Sequence, residues 1–249
     1  MKKTIKFTVF AITLLVFTAC NQGEKSNVDT ATITPDNAPS GLVEEVLTKE
    51  QQDALMPDDV IKTLKEGNIR FTNNDLTARD HSKQVRNSTL SQYPKAIVLS
   101  CVDSRVPVED VFDGGIGDLF VARVAGNFVN EDILGSMEFA CKVSGSKLIL
   151  VMGHEHCGAV KAAIDDVKLG NITSMLQNIQ PAVESVDYNG ERNSKNQEFV
   201  HMVCESNVNN TINQIRLNSP ILKEMEDNGE IKIVGAIYDM DNGKVDWLE

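Results

Sequence analysis

Residues Ala96 to Arg105 read Ala-Ile-Val-Leu-Ser-Cys-Val-Asp-Ser-Arg, a short apolar run that ends at a cysteine and a pair of opposite charges. An apolar run with no polar alternation describes a strand buried on both faces, as in a parallel sheet covered by helices. Leu119 to Val124 and Lys147 to Met152 have the same character, and Ile231 to Tyr238 supplies a last strand. Between the second and third runs, Asn130-Glu131-Asp132 forms a helix cap and acidic first turn, followed by Ile133, Leu134, Met137, Ala140 and Cys141 at helical spacing. A helix joining two buried strands implies that they pair in parallel. The fold class is therefore α/β, with a mainly parallel central sheet flanked by helices.

Further helices frame these strands. Pro57 at an opening position, Asp58 and Asp59 in the first turn, apolar Ile61 and Leu64, and Gly67 past the end predict a short helix. After His154, Val160, Ala163, Ile164 and Val167 fall on one helical face, and a longer helix carries Val200, Cys204, Val208, Ile212 and Ile215. Asp241-Asn242-Gly243 has turn chemistry and predicts a closing hairpin into Lys244 to Leu248.

The chemistry-bearing residues sit where strands end, the usual place for ligand sites in open α/β sheets. Cys101 ends the first strand, and His154 and Cys157 end the third. Two thiolates and one imidazole suit zinc, and the His154-x-x-Cys157 spacing lets both ligands reach one ion across a tight turn. Three protein ligands leave a position for water, as in catalytic rather than structural zinc sites. Asp103 and Arg105 follow Cys101 on alternate positions of an extended segment, so they point the same way. Asp103 has two possible partners: Arg105, which would hold it ionised near the metal, or the ion itself, whose fourth position it would close.

These residues carry a resemblance. Cys101-x-Asp103-Ser104-Arg105 with Gly153-His154-x-x-Cys157-Gly158 resembles the signature of the β-carbonic anhydrases. Gly67-Asn68-x-Arg70-Phe71, Gln92-x-Pro94, Arg123-Val124-Ala125-Gly126-Asn127 and Cys204-Glu205-x-Asn207-Val208 extend the similarity from about Asp58 to Tyr238. The resemblance implies one zinc ion per chain on Cys101, His154 and Cys157, and a zinc-bound hydroxide that converts carbon dioxide to bicarbonate. Asp103 and Arg105 would be its orienting pair, and Gln92 a hydrogen-bond donor to the substrate. It also implies a homodimer or homotetramer whose N-terminal helices embrace the neighbour. Some members have a regulatory bicarbonate pocket with Trp three residues before the first zinc cysteine. Here that residue is Val98 and the single Trp is Trp247, which points to the non-regulated subtype. Relatives that hydrolyse carbon disulfide or carbonyl sulfide with the same chemistry define the alternative substrate class, and a closed, non-catalytic zinc module the alternative without turnover.

The N-terminus has a different character. Lys2 and Lys3 precede an apolar run from Phe7 to Phe17, the plan of a signal peptide over residues 1–19. The run is shorter than the roughly 20 apolar residues of a membrane-spanning helix. Phe17-Thr18-Ala19-Cys20 resembles a bacterial lipoprotein box, with Phe17 where Leu is usual, so Cys20 is expected to be lipidated. Residues 20–48, with Pro35 and Pro39 and no periodicity, then form a tether to a catalytic domain over 49–249. The expected location is the periplasmic or cell-surface side of a bacterial membrane.

The remaining signals have plain readings. A formal net charge of −12, from 36 acidic against 24 basic residues, argues against nucleic acid as a partner. Asp113-Gly114-Gly115-Ile116-Gly117 precedes a strand instead of opening a helix, so it fails as a dinucleotide fingerprint. Cys141 and Cys204 fall on apolar helix faces and read as core thiols. His156 reads as a loop histidine, with proton transfer as its functional alternative. A Cys157 nucleophile paired with histidine would leave Cys101, Asp103 and Arg105 without roles.

Overall fold

The computed structural model describes residues 41–248. In chain order these form α1 (Lys49–Ala54), α2 (Pro57–Thr72), α3 (His81–Asn87), β1 (Ala96–Ser100), α4 (Val108–Val111), β2 (Leu119–Arg123), α5 (Glu131–Glu138) and, after a π-helical turn at Phe139–Val143, β3 (Leu148–His154). The second half continues with α6 (Gly158–Ile164), α7 (Gly170–Leu176), α8 (Gln180–Ser185), α9 (Gln197–Asn218), α10 (Pro220–Asp227), β4 (Lys232–Tyr238) and β5 (Val245–Trp247). The five described strands form one sheet in the order β2-β1-β3-β4-β5, parallel except for β5, which closes antiparallel on β4 through the expected turn.

Successive side chains of β1 and β3 point to opposite faces, and both faces are covered. Ile97, Leu99, Ile149 and Val151 join one apolar cluster with residues of α6, α8, α9 and α10. Ala96, Val98, Leu148, Leu150 and Met152 join a second with Val60 and Leu64 of α2 and Val108 and Val111 of α4. Hence these two strands read as unbroken apolar runs. β2 differs: it is an edge strand and every residue of it is only half-buried. Nor do β2 and β3 pair directly; β1 lies between them, so the intervening helix crosses over it.

Three other expectations are corrected. α2 does not stop at Gly67 but runs on to Thr72. Gly67 lies inside the helix where the backbone of Phe112 passes, and a Cβ there would stand 2.0 Å from the Phe112 carbonyl oxygen. The residue is a close-approach glycine, not a helix terminator. Next, α6 ends at Ile164, so Val167 lies beyond it and is exposed while Val160 and Ala163 are buried. Finally, the stretch expected as tether is docked before residue 48. Val43 bridges to Arg79, Lys83 Nζ reaches Glu44 at 2.5 Å, and Thr48 caps α1 in a capping box with Gln51. The signal peptide, Cys20 and the rest of the tether lie outside the described residues.

The Gly67 to Phe71 motif has a structural role. Asn68 donates to Val111 O at 3.2 Å and Gly243 O at 2.9 Å and accepts from Val245 N at 3.0 Å, tying α2 to α4 and to the last turn. Arg70 and Arg79 close on the buried Asp113 carboxylate at 2.5 and 2.6 Å. The glycine-rich segment therefore begins at an ion-pair anchor, not a phosphate cradle.

Candidate metal centre

Register places the chemistry. In the parallel β1–β3 pair Leu99 lies opposite Val151, so Cys101, just past β1, emerges at the same sheet end as His154, the last residue of β3. Cys157 is the N-cap residue of α6, three residues on. All three are buried, and one ligand atom from each lies within 4.8 Å of the others. The two sulfurs are 4.0 Å apart. Two thiolates bound about 2.3 Å from a tetrahedral zinc stand ~3.8 Å from each other, so the spacing suits that ion.

The histidine is set for the same task. His154 Nδ1 lies 2.8 Å from the carbonyl oxygen of Glu155, which can only accept, so Nδ1 carries the proton and Nε2 keeps its lone pair. Nε2 is buried with no hydrogen-bond partner among the described residues. A buried ring nitrogen without a partner is costly unless a ligand takes it.

Sulfur ionisation follows from the same crowding. The Cys101 thiolate takes a hydrogen bond from the Cys157 thiol and another from the Gly126 N–H, which help overcome burial and pull its pKa down to about 4. Cys157 is driven strongly upward by the adjacent Cys101 sulfur and by burial. One proton leaves easily and the second only with compensating positive charge, as metal binding supplies. Cys141 and Cys204 are core thiols, as expected: burial pushes each up to about 12. The four cysteines among the described residues are all free.

Asp103 stands at the mouth of the cluster. Its Oδ1 accepts from Arg105 Nε at 2.9 Å and from Arg105 N at 3.0 Å, and its Oδ2 accepts from Arg105 Nη2 at 2.8 Å. This bidentate bond holds its pKa well below the ordinary carboxylate range, against a smaller opposing effect of burial. Oδ2 also lies 3.9 Å from His154 Nε2, so the carboxylate faces the cluster without closing on it.

A supporting layer surrounds the cluster. Gly126 donates its N–H to Cys101 Sγ at 3.4 Å, and its own carbonyl accepts from Asn207 Nδ2 at 2.7 Å. Arg123 spans Cys101 O at 2.9 Å and Val106 O at 2.6 Å, fixing the turn that carries Asp103. Sequence similarity flagged these segments but gave them no task; their contacts exist only once β2 and α9 are packed beside β1.

Gln92 is not brought to this centre within the chain. It is exposed, four residues before β1, while Cys101 follows the strand's other end. Five strand residues span about 16 Å at a rise of roughly 3.3 Å each.

Comparison with known proteins accords with this geometry. The family described as carbonic anhydrase matches residues 96–245. Carbonic anhydrase 2 of Mycobacterium tuberculosis is 36% identical over 189 residues, covering 74% of this chain and 88% of that one. The chain belongs to the carbonic anhydrase family. Its fold is that of the β-class: the solved β-carbonic anhydrase CcaA aligns with a TM-score of 0.61 at 22% identity, over 77% of this chain and 90% of that one. A tetrameric β-carbonic anhydrase from Sordaria macrospora aligns with a TM-score of 0.58 at 20% identity, over 77% and 97%. As a carbonic anhydrase the chain is a zinc-dependent lyase acting on carbon dioxide, and Cys101, His154 and Cys157 are a set that could hold its ion.

Proposed function

We propose that this carbonic anhydrase converts carbon dioxide and water reversibly to bicarbonate and a proton, with Cys101, His154 and Cys157 holding zinc and Asp103, fixed by Arg105, orienting the attacking oxygen. When bound, the ion supplies Lewis acidity, which makes water acidic near neutral pH. The protein's part rests on one observation: a carboxylate clamped in two places by a guanidinium, 3.9 Å from an imidazole nitrogen that has no hydrogen-bond partner among the described residues. A carboxylate in that state only accepts hydrogen bonds. It can accept a hydrogen bond from the attacking oxygen and so turn that oxygen's lone pair toward the carbon. Because Arg105 holds Asp103 ionised, the carboxylate is a poor resting place for a proton. Its role is orientation, and the product proton leaves to buffer or solvent.

The test is stopped-flow hydration of carbon dioxide with zinc counted on the same sample. Rapid hydration lost on zinc removal and restored by zinc supports the reading. Zinc-loaded protein inactive across a pH series overturns it in favour of carbon disulfide or carbonyl sulfide hydrolysis, or of a closed site.

The assembly we infer is a homodimer or homotetramer. Among the described residues the outer side of β2 is unpaired, beside a groove of about 680 Å³ lined by Ile97, Phe120, Ala122, Ile133 and Phe139, and Phe139 is half exposed. A second copy covering that face would remove the exposed edge and give Gln92 a route to a neighbour's centre. Val98, at the position where regulated members carry Trp, supports the non-regulated subtype. The same proposal makes residues 1–19 a signal peptide and Cys20 a lipid anchor on the outer side of a bacterial membrane.

A further inference from the structure

Three segments assemble a second set of metal-ligating donors beside the Cys-His-Cys cluster. Glu155 N donates to Tyr238 O at 3.1 Å, continuing the β3–β4 pairing by one bond, so the residues just past β3 lie against the β4–β5 turn. There Glu155, His156 and Asp241 each offer a ligand atom, all within 4.8 Å of one another. The first turns of α9 form the third side. Gln197 Oε1 lies 2.9 Å from His156 Nδ1, and His201 lies 3.5 Å from a Glu155 oxygen and 3.4 Å from a Glu205 oxygen.

The donors are prepared for a cation. The Gln197 amide oxygen can only accept, so His156 Nδ1 carries the proton and Nε2 keeps a lone pair. Metal-binding histidines are commonly oriented this way, and His154 is held on Glu155 O by the same device. The charge around them is uncompensated. Among the described residues, no Lys or Arg nitrogen pairs with Glu155, Asp239 or Asp241, and the one basic group within salt-bridge reach of Glu155 is the imidazole of His201.

We propose that Glu155, His156 and Asp241 form a second cation site, for a divalent transition-metal ion, adjacent to the catalytic cluster and distinct from it. One imidazole and two carboxylates favour zinc or manganese over calcium or magnesium, which take all-oxygen sites. The site stands on its own donors and does not depend on turnover.

The test uses the full chain, carrying one zinc equivalent and no affinity tag, dialysed against buffered free zinc from nanomolar to submillimolar, with zinc per chain counted by mass spectrometry. Wild type is expected to take up a second equivalent. Asp241→Asn, in an exposed turn, and Glu155→Gln should each weaken that second equivalent by about tenfold or more while the first stays bound. Retention of the first equivalent and an unchanged circular dichroism melt show that the variants are folded. Saturation of wild type at a single equivalent overturns the proposal, as does a second equivalent that binds undiminished in the Glu155→Gln, Asp241→Asn double variant.

Discussion

Asp103 Oδ2 lies 2.8 Å from Arg105 Nη2 and 3.9 Å from His154 Nε2, so one oxygen sits between the guanidinium that clamps it and the Cys-His-Cys cluster. The clamp fixes both the direction of the carboxylate and its charge.

Removing the clamp should therefore act through Asp103. Arg105→Ala is expected to lower kcat/KM for hydration by 10- to 100-fold, the usual cost of losing a group that orients a metal site. Asp103→Ala should cost at least as much, and both variants should keep their zinc. The pH profile separates orientation from mere disruption. Arg105 depresses the Asp103 pKa, so in the wild type the carboxylate stays ionised to a pH well below the ordinary aspartate value. Without Arg105 the pKa returns upward, and the acid limb of activity should move to higher pH. An Arg105→Ala enzyme with unchanged turnover and an unmoved acid limb would refute the role given to the pair.

Stripping the metal should cost stability as well as activity. An ion that binds only the folded state at a thousandfold excess over its Kd stabilises by about 4 kcal/mol, and each kcal/mol moves the Tm of a domain this size by roughly 2–4 °C. Chelation should lower the Tm by several degrees, and equimolar zinc should restore it. Cys101→Ser or His154→Ala should melt like the chelated protein and ignore added zinc. Proton competition has a clear sign: both thiols must be deprotonated to bind, so zinc is retained at neutral pH and released as pH falls. A melting temperature indifferent to chelator would show that the cluster holds no metal.

Much of this candidate site was legible because Cys101, His154 and Cys157 sit at the ends of β1 and β3, whose double burial wrote those strands into the sequence as apolar runs. Periodicity cannot supply strand order, so the insertion of β1 between β2 and β3 went unseen. Gly67 misled for a related reason: a glycine late in a helical pattern reads as a stop, and only the passing Phe112 backbone shows that it admits a neighbour. The same limit hid the hydrogen bonds from Gly126 N to Cys101 Sγ and from Asn207 to Gly126 O. Each joins residues at least 25 positions apart, which no local pattern encodes.

Gly126 makes the hidden layer testable. Its φ of +83° lies in the left-handed region, and an added Cβ would meet Ile179 Cδ1 at 2.4 Å. Gly126→Ala should destabilise the fold by about 1–3 kcal/mol and, by displacing the N–H that reaches Cys101 Sγ, weaken zinc retention. Gly135→Ala is the control, since nothing stands within 4 Å of a Cβ there and alanine is the better helix former. Equal melting temperatures and equal zinc retention in the two variants would remove Gly126 from the metal's support.

Cys20 can be tested in cells. If it carries the acyl chains of a lipoprotein, Cys20→Ser should move the protein from the membrane to the soluble fraction, because stable anchoring takes more than one chain. A serine variant still found wholly with the membrane would show that something else holds it there.

Gln92 supplies the sharpest test of assembly, because a strand about 16 Å long separates it from Cys101 in its own chain. If it serves the centre of a neighbour, Gln92→Ala and Asp103→Ala subunits are each defective alone but complementary when mixed. In a twofold dimer, one centre of the hybrid then combines an intact Asp103 with an intact Gln92 from the other chain. Random exchange makes half the dimers hybrid, so activity should recover to about a quarter of wild type. If Gln92 acted within its own chain, both centres of every hybrid would carry one defect, and mixing would recover nothing. The measurement is hydration rate against time after mixing the two purified variants under conditions that allow subunit exchange, with unmixed variants as the baseline.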